Sequence, residues 1–499
     1  MRETITKSTW LVAQQCPTQA WLDMRTEPEA PGEAALFRME QGREIGEFAR
    51  ELFPNGILVS GSGTAAVEAT RELISIPQTE TLFEAAFAAG KLTARADILK
   101  RTAGGWHVLE AKSSFADTSN IKELVDDLAY TVFVLRRTGL VITKASLVLL
   151  SRSYRFGGGS DLLFEVQDNT TEVDARAAVF ESMADSLSAA LFADDRPVAR
   201  LLSACRDCAF FKTECLGAGV VHSVLEIPSL HHTKLKRLSA AGIVDMAQAP
   251  NDLGLNERQE RARISAVAGT MFVSPNLGTA LSAFQFPCHY LDFETVATVL
   301  PLYDGHACHR QVLTQFSIHR KDTIGSEPLH SEYLADAPRD CERDLAEALI
   351  KALDDRGSII VYSTFEKTRI SALRDAFPDL AGPLQAILDR LMDLLPILQD
   401  HVYHPKFGGS FSIKKVLPAL IPTLSYAGLD VRDGDTAIAR FARMAKGSIA
   451  VEDIPVTRQQ LLDYCKLDTL AMVRLHESLY ALASANNLYG GAQPMAAHS

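Results

Sequence analysis

Residues 94–114 read ARADILKRTAGGWHVLEAKSS, two alternating segments around the turn Thr-Ala-Gly-Gly. The alternation predicts a β-hairpin. With the turn centred on Ala103–Gly104, Asp97 stands opposite Glu110. Glu110 and Lys112 lie two apart on one strand and share a face, while Ala111 points the other way. Two carboxylates and an ammonium thus converge on one side of a sheet. Buried together, such groups are costly unless they hold a cation or a charged substrate. The arrangement points to a divalent-metal site: Asp97 and Glu110 bind Mg²⁺ or Mn²⁺, and Lys112 orients the attacking water beside a phosphate. The plainer alternative is an exposed hairpin with a surface salt bridge, since Glu-x-Lys alone is common.

Outward from the hairpin, helical patterns cover 36–52, 120–138 and 174–193, and strand-like runs cover 94–101, 106–112 and 145–151. GGGS at 157–160 reads as a loop. Residues 205–215, CRDCAFFKTEC, place Cys205, Cys208 and Cys215 in a C-x2-C-x6-C spacing. That suits a metal or an iron–sulfur cluster and leaves a fourth ligand to be found elsewhere; the spacing alone leaves zinc open. Residues 221–284 are helical and polar, and KLKRLSAAGIVDMAQAP has the flavour of a helix–hairpin–helix turn. From about residue 285 a second α/β pattern begins, with strands at HYLDFET and SIIVYS and helices at 339–355 and 457–481. A chain of 499 residues is too long for one ordinary core. The expected layout is an α/β domain over 1–220, a helical linker over 221–284, a second α/β domain over 285–485 and a disordered tail over 486–499.

The second pattern carries its own acids. In HYLDFET, Asp292 and Glu294 share one strand face, well placed to hold a pair of divalent cations roughly 3.5–4 Å apart. In QQLLDYCKLDTLAMVRL, Tyr464 and Asp468 are i and i+4 on an amphipathic helix. Between them, SIIVYSTFEKTRI predicts a buried strand entering a helix, with Glu366 in the first turn. Each piece has a bland reading, and an acid in a first turn suits the helix dipole.

The pattern Asp97-x12-Glu110-Ala-Lys112 resembles the PD-(D/E)XK nuclease superfamily, in particular RecB-type members that carry an iron–sulfur cluster. The resemblance implies a restriction-endonuclease-like fold, with Glu84 in TLFEAAF as a further metal-binding acid. It also implies that Cys16, in TWLVAQQCPTQAWL, completes a four-thiolate [4Fe–4S] site with Cys205, Cys208 and Cys215. Such a cluster would clip the two ends of the domain together. The chain differs from some relatives in carrying Gly46 where they have a histidine, and Tyr130 and Thr131 where many have a glutamine. The acids of the second domain resemble the DnaQ-like (DEDD) exonucleases on the ribonuclease H-like fold. That resemblance implies that Asp292, Glu294 and Asp468 hold the metals and that Tyr464 positions the nucleophilic water. Glu366 stands where aspartate is usual, and Lys414 and Lys415 are candidates for phosphate contacts. The order of all these features resembles a bacterial family of largely uncharacterised two-domain proteins.

A hydrophobic content of 47% and a charged content of 22% are those of a soluble globular chain. No apolar run is long enough to span a membrane and no signal peptide is evident, so a cytoplasmic location is expected. A net charge of −12 disfavours a non-specific nucleic-acid coat protein but not an enzyme with one basic groove. No Walker A motif is present, so a helicase would have to be a partner. The reading is a metal-dependent nuclease acting on nucleic acid, DNA favoured over RNA. A ribonuclease, or a binding scaffold with one or both sites inactive, is the competing reading.

Overall fold

The computed structural model describes residues 2–489, a mixed α/β chain of seventeen α-helices and three sheets. It divides into two compact units: residues 1–200 with Thr298–Arg310, and Leu201–Ala297 with residues 311–499. No described helix is long and apolar enough to cross a membrane.

The first unit is built on six strands in sequential order: β1 (Ile57–Leu58), β2 (Thr81–Ala89), β3 (Leu92–Thr102), β4 (Gly105–Phe115), β5 (Ile142–Leu150) and β6 (Phe164–Asp168). β2, β3 and β4 form an antiparallel meander, and β5 joins β4 in parallel. Alternation along the strands divides the core in two. Leu82, Leu99, Val108 and Leu147 face one cluster with α1 (Lys7–Gln15), α2 (Pro17–Arg25), α4 (Gly63–Ser75), α5 (Ile121–Arg137) and α7 (Thr170–Phe192). Trp10 is the hub there, its ring 5.3–5.8 Å from those of Tyr130, Phe133 and Phe180. Phe83, Ile98, Leu109 and Val148 face the other cluster, with α3 (Glu33–Glu51), α6 (Ser160–Leu163) and Val299, Leu300 and Cys308. These last three arrive from far along the chain. In the same segment, the Val299 N–H donates to Gln41 Oε1 at 2.7 Å.

The second unit has a five-stranded sheet in the order β10-β9-β8-β11-β12. Its strands are β8 (Cys288–Val296), β9 (Val312–Lys321), β10 (Leu329–Leu334), β11 (Ile359–Val361) and β12 (Leu391–Asp393), after the short β7 (Phe272–Val273). β10, β9 and β8 are antiparallel; β11 and β12 run parallel to β8. Leu291 and Phe293 face α11 (Glu342–Ala352), α12 (Phe365–Ala376) and α13 (Ala381–Leu388). Tyr290 and Ile360 face the other way, toward α14 (Leu394–His401), α15 (Ile413–Leu420) and the long α17 (Ile454–Tyr489). By period two, Asp292 and Glu294 share the face of Tyr290, which sets them beneath α17.

The unit boundary falls at residue 200 rather than 220, and residues 221–284 belong to the second unit instead of forming a separate linker. The physical reason is a small shared core: Leu201, Cys205 and Phe211 pack with Val224, Leu225, Leu235 and Leu238. β7 pairs with β13 (Val402–Tyr403), so this region is stitched into the later chain. α8 (His232–Ala240) is followed not by a second hairpin helix but by a return, in which the Val224 N–H bonds Val244 O and the Met246 N–H bonds His222 O. Two short 3₁₀ turns then lead to α9 (Glu257–Ala268) and α10 (Leu277–Leu281). α16 (Gly434–Ala445) completes the unit. Residues 486–489 of the expected tail belong to α17, which continues to Tyr489; residues 490–499 lie outside the described residues.

Candidate functional site

In the first unit the hairpin forms as expected. The β3–β4 ladder runs from Thr102–Gly105 to Ile98–Leu109, one pair short of Asp97 and Glu110. There the Asp97 carboxylate accepts the Ala111 N–H at 2.9 Å instead. Glu110, 2% exposed, sits against Lys112 Nζ at 3.2 Å and is also bonded by Lys7. Lys112 in turn pairs with Asp127 of α5. Burial works to raise the Glu110 carboxyl, but Lys7 and Lys112 outweigh it and hold it below its ordinary value. Asp97 is pushed up to about 7, first by burial and then by Glu110. Burial opposes the charge on Lys112, yet Glu110 and Asp127 raise its pKa.

Glu84 does not join Asp97 and Glu110 in one ligand set. It is held by Arg50 at 3.2 Å and Arg95 at 3.8 Å, with its backbone at φ +56°. That left-handed conformation interrupts the β2–β3 pairing between Phe83–Ile98 and Ala85–Ala96. Beside it a cavity of about 830 Å³ is lined by Lys7, Arg71, Glu84, Arg95 and Asp97, among others. Tyr130 donates its hydroxyl to Ile5 O and Thr93 O and so serves packing. Thr131 Oγ1 lies 3.5 Å from Glu110 Oε2. Gly46 lies within α3.

The second unit brings its acids closer. Among the described residues, the one set of three or more potential ligands with atoms all within 4.8 Å of one another is Asp292, Glu294 and Asp468. Glu366, in the first turn of α12, lines the same pocket of about 270 Å³ with Lys414, Tyr464 and Ser363. Ser363 Oγ is 3.4 Å from Glu366 Oε2. Burial and Asp468 push Asp292 well above the ordinary carboxylate range. Glu294 is raised to about 8 by burial and Asp468, Glu366 to about 7 by burial, and Asp468 to about 6 by burial. Lys414 is the cation that works against these shifts at Glu294 and Asp468.

One residue beside this pocket, Tyr426, escapes sequence reasoning, and Lys414, expected as a phosphate contact, lines the pocket itself. Tyr426, from a 3₁₀ turn, donates its hydroxyl to Asp468 Oδ1 at 2.6 Å. Lys414 Nζ donates to the Tyr464 hydroxyl at 3.1 Å and lies over both tyrosine rings. Burial, Asp468 and Glu294 keep the Tyr464 hydroxyl protonated at neutral pH. Lys7 is the equivalent omission in the first unit; nothing in MRETITKSTW marks it as reaching residue 110. Lys415 projects elsewhere, into a second cavity of this unit.

No disulfide joins any of the eight cysteines. Cys16 caps the start of α2, its sulfur accepting the Gln19 N–H at 3.4 Å. Cys205 is buried in the small core of the second unit, its sulfur accepting the Leu202 N–H at 3.4 Å. Cys208 and Cys215 are half-buried. The three sulfurs of the 205–215 segment do not gather within single-ion distance.

Over residues 289–412 the chain matches a family model described as Domain of unknown function (DUF2779). That stretch contains Asp292, Glu294 and Glu366 and ends before Lys414, Tyr464 and Asp468. The Uncharacterized protein MG366 homolog of Mycoplasma pneumoniae is 28% identical over 209 residues, covering 37% of this chain and 31% of that protein. The chain therefore spans less than a third of the length of the curated relative it matches. No solved structure matches.

Proposed function

We propose that the chain is a divalent-metal-dependent nuclease whose principal centre is the acidic pocket of the second unit, on a ribonuclease H-like domain of DnaQ type. The observation that carries this reading is charge balance. Asp292, Glu294, Glu366 and Asp468 are crowded into one pocket with Lys414 as their nearby cation. Like carboxylates in such a space either take up protons or bind cations. Their hard oxygen donors suit Mg²⁺ or Mn²⁺. Bound there, such ions would neutralise phosphate charge and lower the pKa of a coordinated water.

The chain's own groups would do the rest. Asp292, Glu294 and Asp468 would hold the metal, and Glu366 flanks them with one more methylene than aspartate. Tyr464, protonated and accepting from Lys414, turns its own proton toward Asp468, or toward a water or phosphate oxygen once a cation occupies that carboxylate. The order of these groups supports the reading: Asp292 and Glu294 on the first strand of the sheet, Glu366 just after β11, Tyr464 and Asp468 on the last helix.

The first unit is balanced differently. Glu84, Asp97, Glu110 and Asp127 are matched by Arg50, Arg95, Lys7 and Lys112. We read it as a PD-(D/E)XK-like unit whose site competes for metal with its own lysines, which keeps a binding role for this unit in play. DNA remains favoured over RNA. Mn²⁺-dependent degradation of labelled single- and double-stranded DNA and RNA tests the proposal. Asp292→Ala should abolish hydrolysis and Lys112→Ala should leave most of it; no turnover of any substrate by wild type would sink the enzyme reading. The four cysteines, with Cys16 in the first unit, offer thiolates suited to a [4Fe–4S] cluster, zinc being the alternative. Absorbance near 400 nm in anaerobic protein, lost in Cys16→Ala, would separate iron from zinc.

A further inference from the structure

The second unit holds another cavity, of about 740 Å³, walled by the cysteine-bearing segment, the turn at 222–226 and the loop at 405–410. Four cations line it, Arg206, Lys212, Lys406 and Lys415, against two acids, Asp207 and Glu226. Glu226 is already engaged: Lys212 Nζ reaches its Oε1 at 2.5 Å, and His222 Nδ1 lies 2.9 Å from its Oε2. Arg206 is fixed by its Nε donating to Leu225 O at 3.0 Å, and its side chain is exposed. Lys406 and Lys415 are exposed as well. In a chain of net charge −12 this is a local concentration of the opposite sign.

We propose that this groove holds the phosphodiester backbone of a single nucleic-acid strand whose end is presented to the acidic pocket. The inference rests on the nuclease reading above and extends it to the path of the substrate. Two observations connect groove and pocket. Lys414 lines the acidic pocket and Lys415 the groove, as consecutive residues in the first turn of α15. The pocket itself, about 270 Å³, is too small for more than the reacting end of a polymer. The groove falls within the roughly 300–1,000 Å³ of ordinary ligand pockets, large enough for a few backbone units but not for a duplex.

The loop that forms its floor is fixed by a close backbone approach. Gly409 has φ +80°, and a Cβ there would lie 2.1 Å from Glu226 O. Its N–H donates to the Tyr403 hydroxyl at 3.2 Å. The cysteine segment, whose ordering any bound cluster or metal would aid, thereby supplies one wall of the strand path.

Fluorescence anisotropy of labelled oligonucleotides on the Asp292→Asn chain tests this. Single-stranded DNA, single-stranded RNA and duplex form separate arms. Arg206→Glu and the pair Lys406→Glu/Lys415→Glu should each weaken single-strand binding by about tenfold or more. The slope of log affinity against log salt should become shallower by about 0.7 for each phosphate that the variant no longer neutralises. Lys351→Glu, an exposed charge reversal on α11, should leave binding unchanged. Whichever single strand binds tighter, DNA or RNA, names the substrate class; duplex bound more tightly than either strand overturns the proposal. Turnover of bis(p-nitrophenyl) phosphate by wild type is read in parallel. Its absence counts against the nuclease reading alone. Groove variants that bind strands as tightly as their parent overturn the groove, whatever the turnover.

Discussion

Asp292 sits where three other acids converge, and its removal should trade stability against chemistry. The folded-state carboxyls of Glu294, Glu366 and Asp468 lie at about 8, 7 and 6, above the ordinary value of about 4. The folded chain thus retains protons that the unfolded chain releases. This contribution to stability is complete below about pH 4 and is lost as pH rises toward 8. In EDTA, thermal unfolding should therefore show a falling Tm over that window, with a Mn²⁺-induced gain that grows with pH. Asp292→Asn should flatten the fall and remove most of the gain; an unchanged slope would mean that the acids are not packed as described. Glu110 makes the opposite case. Replacing it by Gln leaves Lys7 and Lys112 beside a neutral group in a mostly buried place, at a cost of about 3 kcal/mol, readable by urea denaturation. The acids themselves were legible, because period two puts Asp292 with Glu294 and a hairpin register puts Asp97 near Glu110. Lys7, Tyr426 and Asp127 were not, since each reaches its partner through tertiary packing that no local pattern encodes.

At the level of elements, the sequence reads best where one physical rule dominates. α5 and α17 follow from amphipathic periodicity, and β3 and β4 from alternation around a Gly-Gly turn. Gly105 in that turn has φ +155°, and a Cβ there would lie 2.4 Å from Val141 O. The reading fails where short irregular pieces share a core. Residues 201–268 contain few long elements, so their packing on one another through Leu201, Phe211, Leu225 and Leu238 has no periodic signature. Gly409 tests the element that matters most for the groove. Gly409→Ala would place a methyl against the Glu226 carbonyl and force a left-handed conformation on alanine. The expected cost is roughly 1–3 kcal/mol, with new proteolytic cleavage confined to the 404–412 loop. If the variant instead gains stability, that loop does not rest on Glu226.

At the scale of the whole chain, the assignment of Thr298–Arg310 to the first unit is the feature least visible in the sequence. These residues lie between β8 and β9 in order and would be taken for a loop of the second sheet. Their burial says otherwise. Val299, Leu300 and Cys308 are at most 9% exposed, in the cluster that covers the α3 face of the first sheet. The His309 ring nitrogen lies 2.6 Å from Ser113 O, one residue beyond Lys112, and the Phe156 N–H donates to His306 O at 3.0 Å. A fragment ending at Arg200 would keep all six strands yet lose this covering. Each large apolar side chain withdrawn forfeits about 1.5–3 kcal/mol of burial, a substantial share of a typical domain's roughly 5–15 kcal/mol. The fragment should therefore unfold at lower urea than the first unit does in the full chain, and should bind an apolar dye. A synthetic peptide of residues 298–310 should restore its stability in a concentration-dependent way, as mass action requires. A peptide with Val299 and Leu300 both changed to Ser should not. Full stability of the fragment without any peptide would show that the segment is a passenger there rather than part of that core.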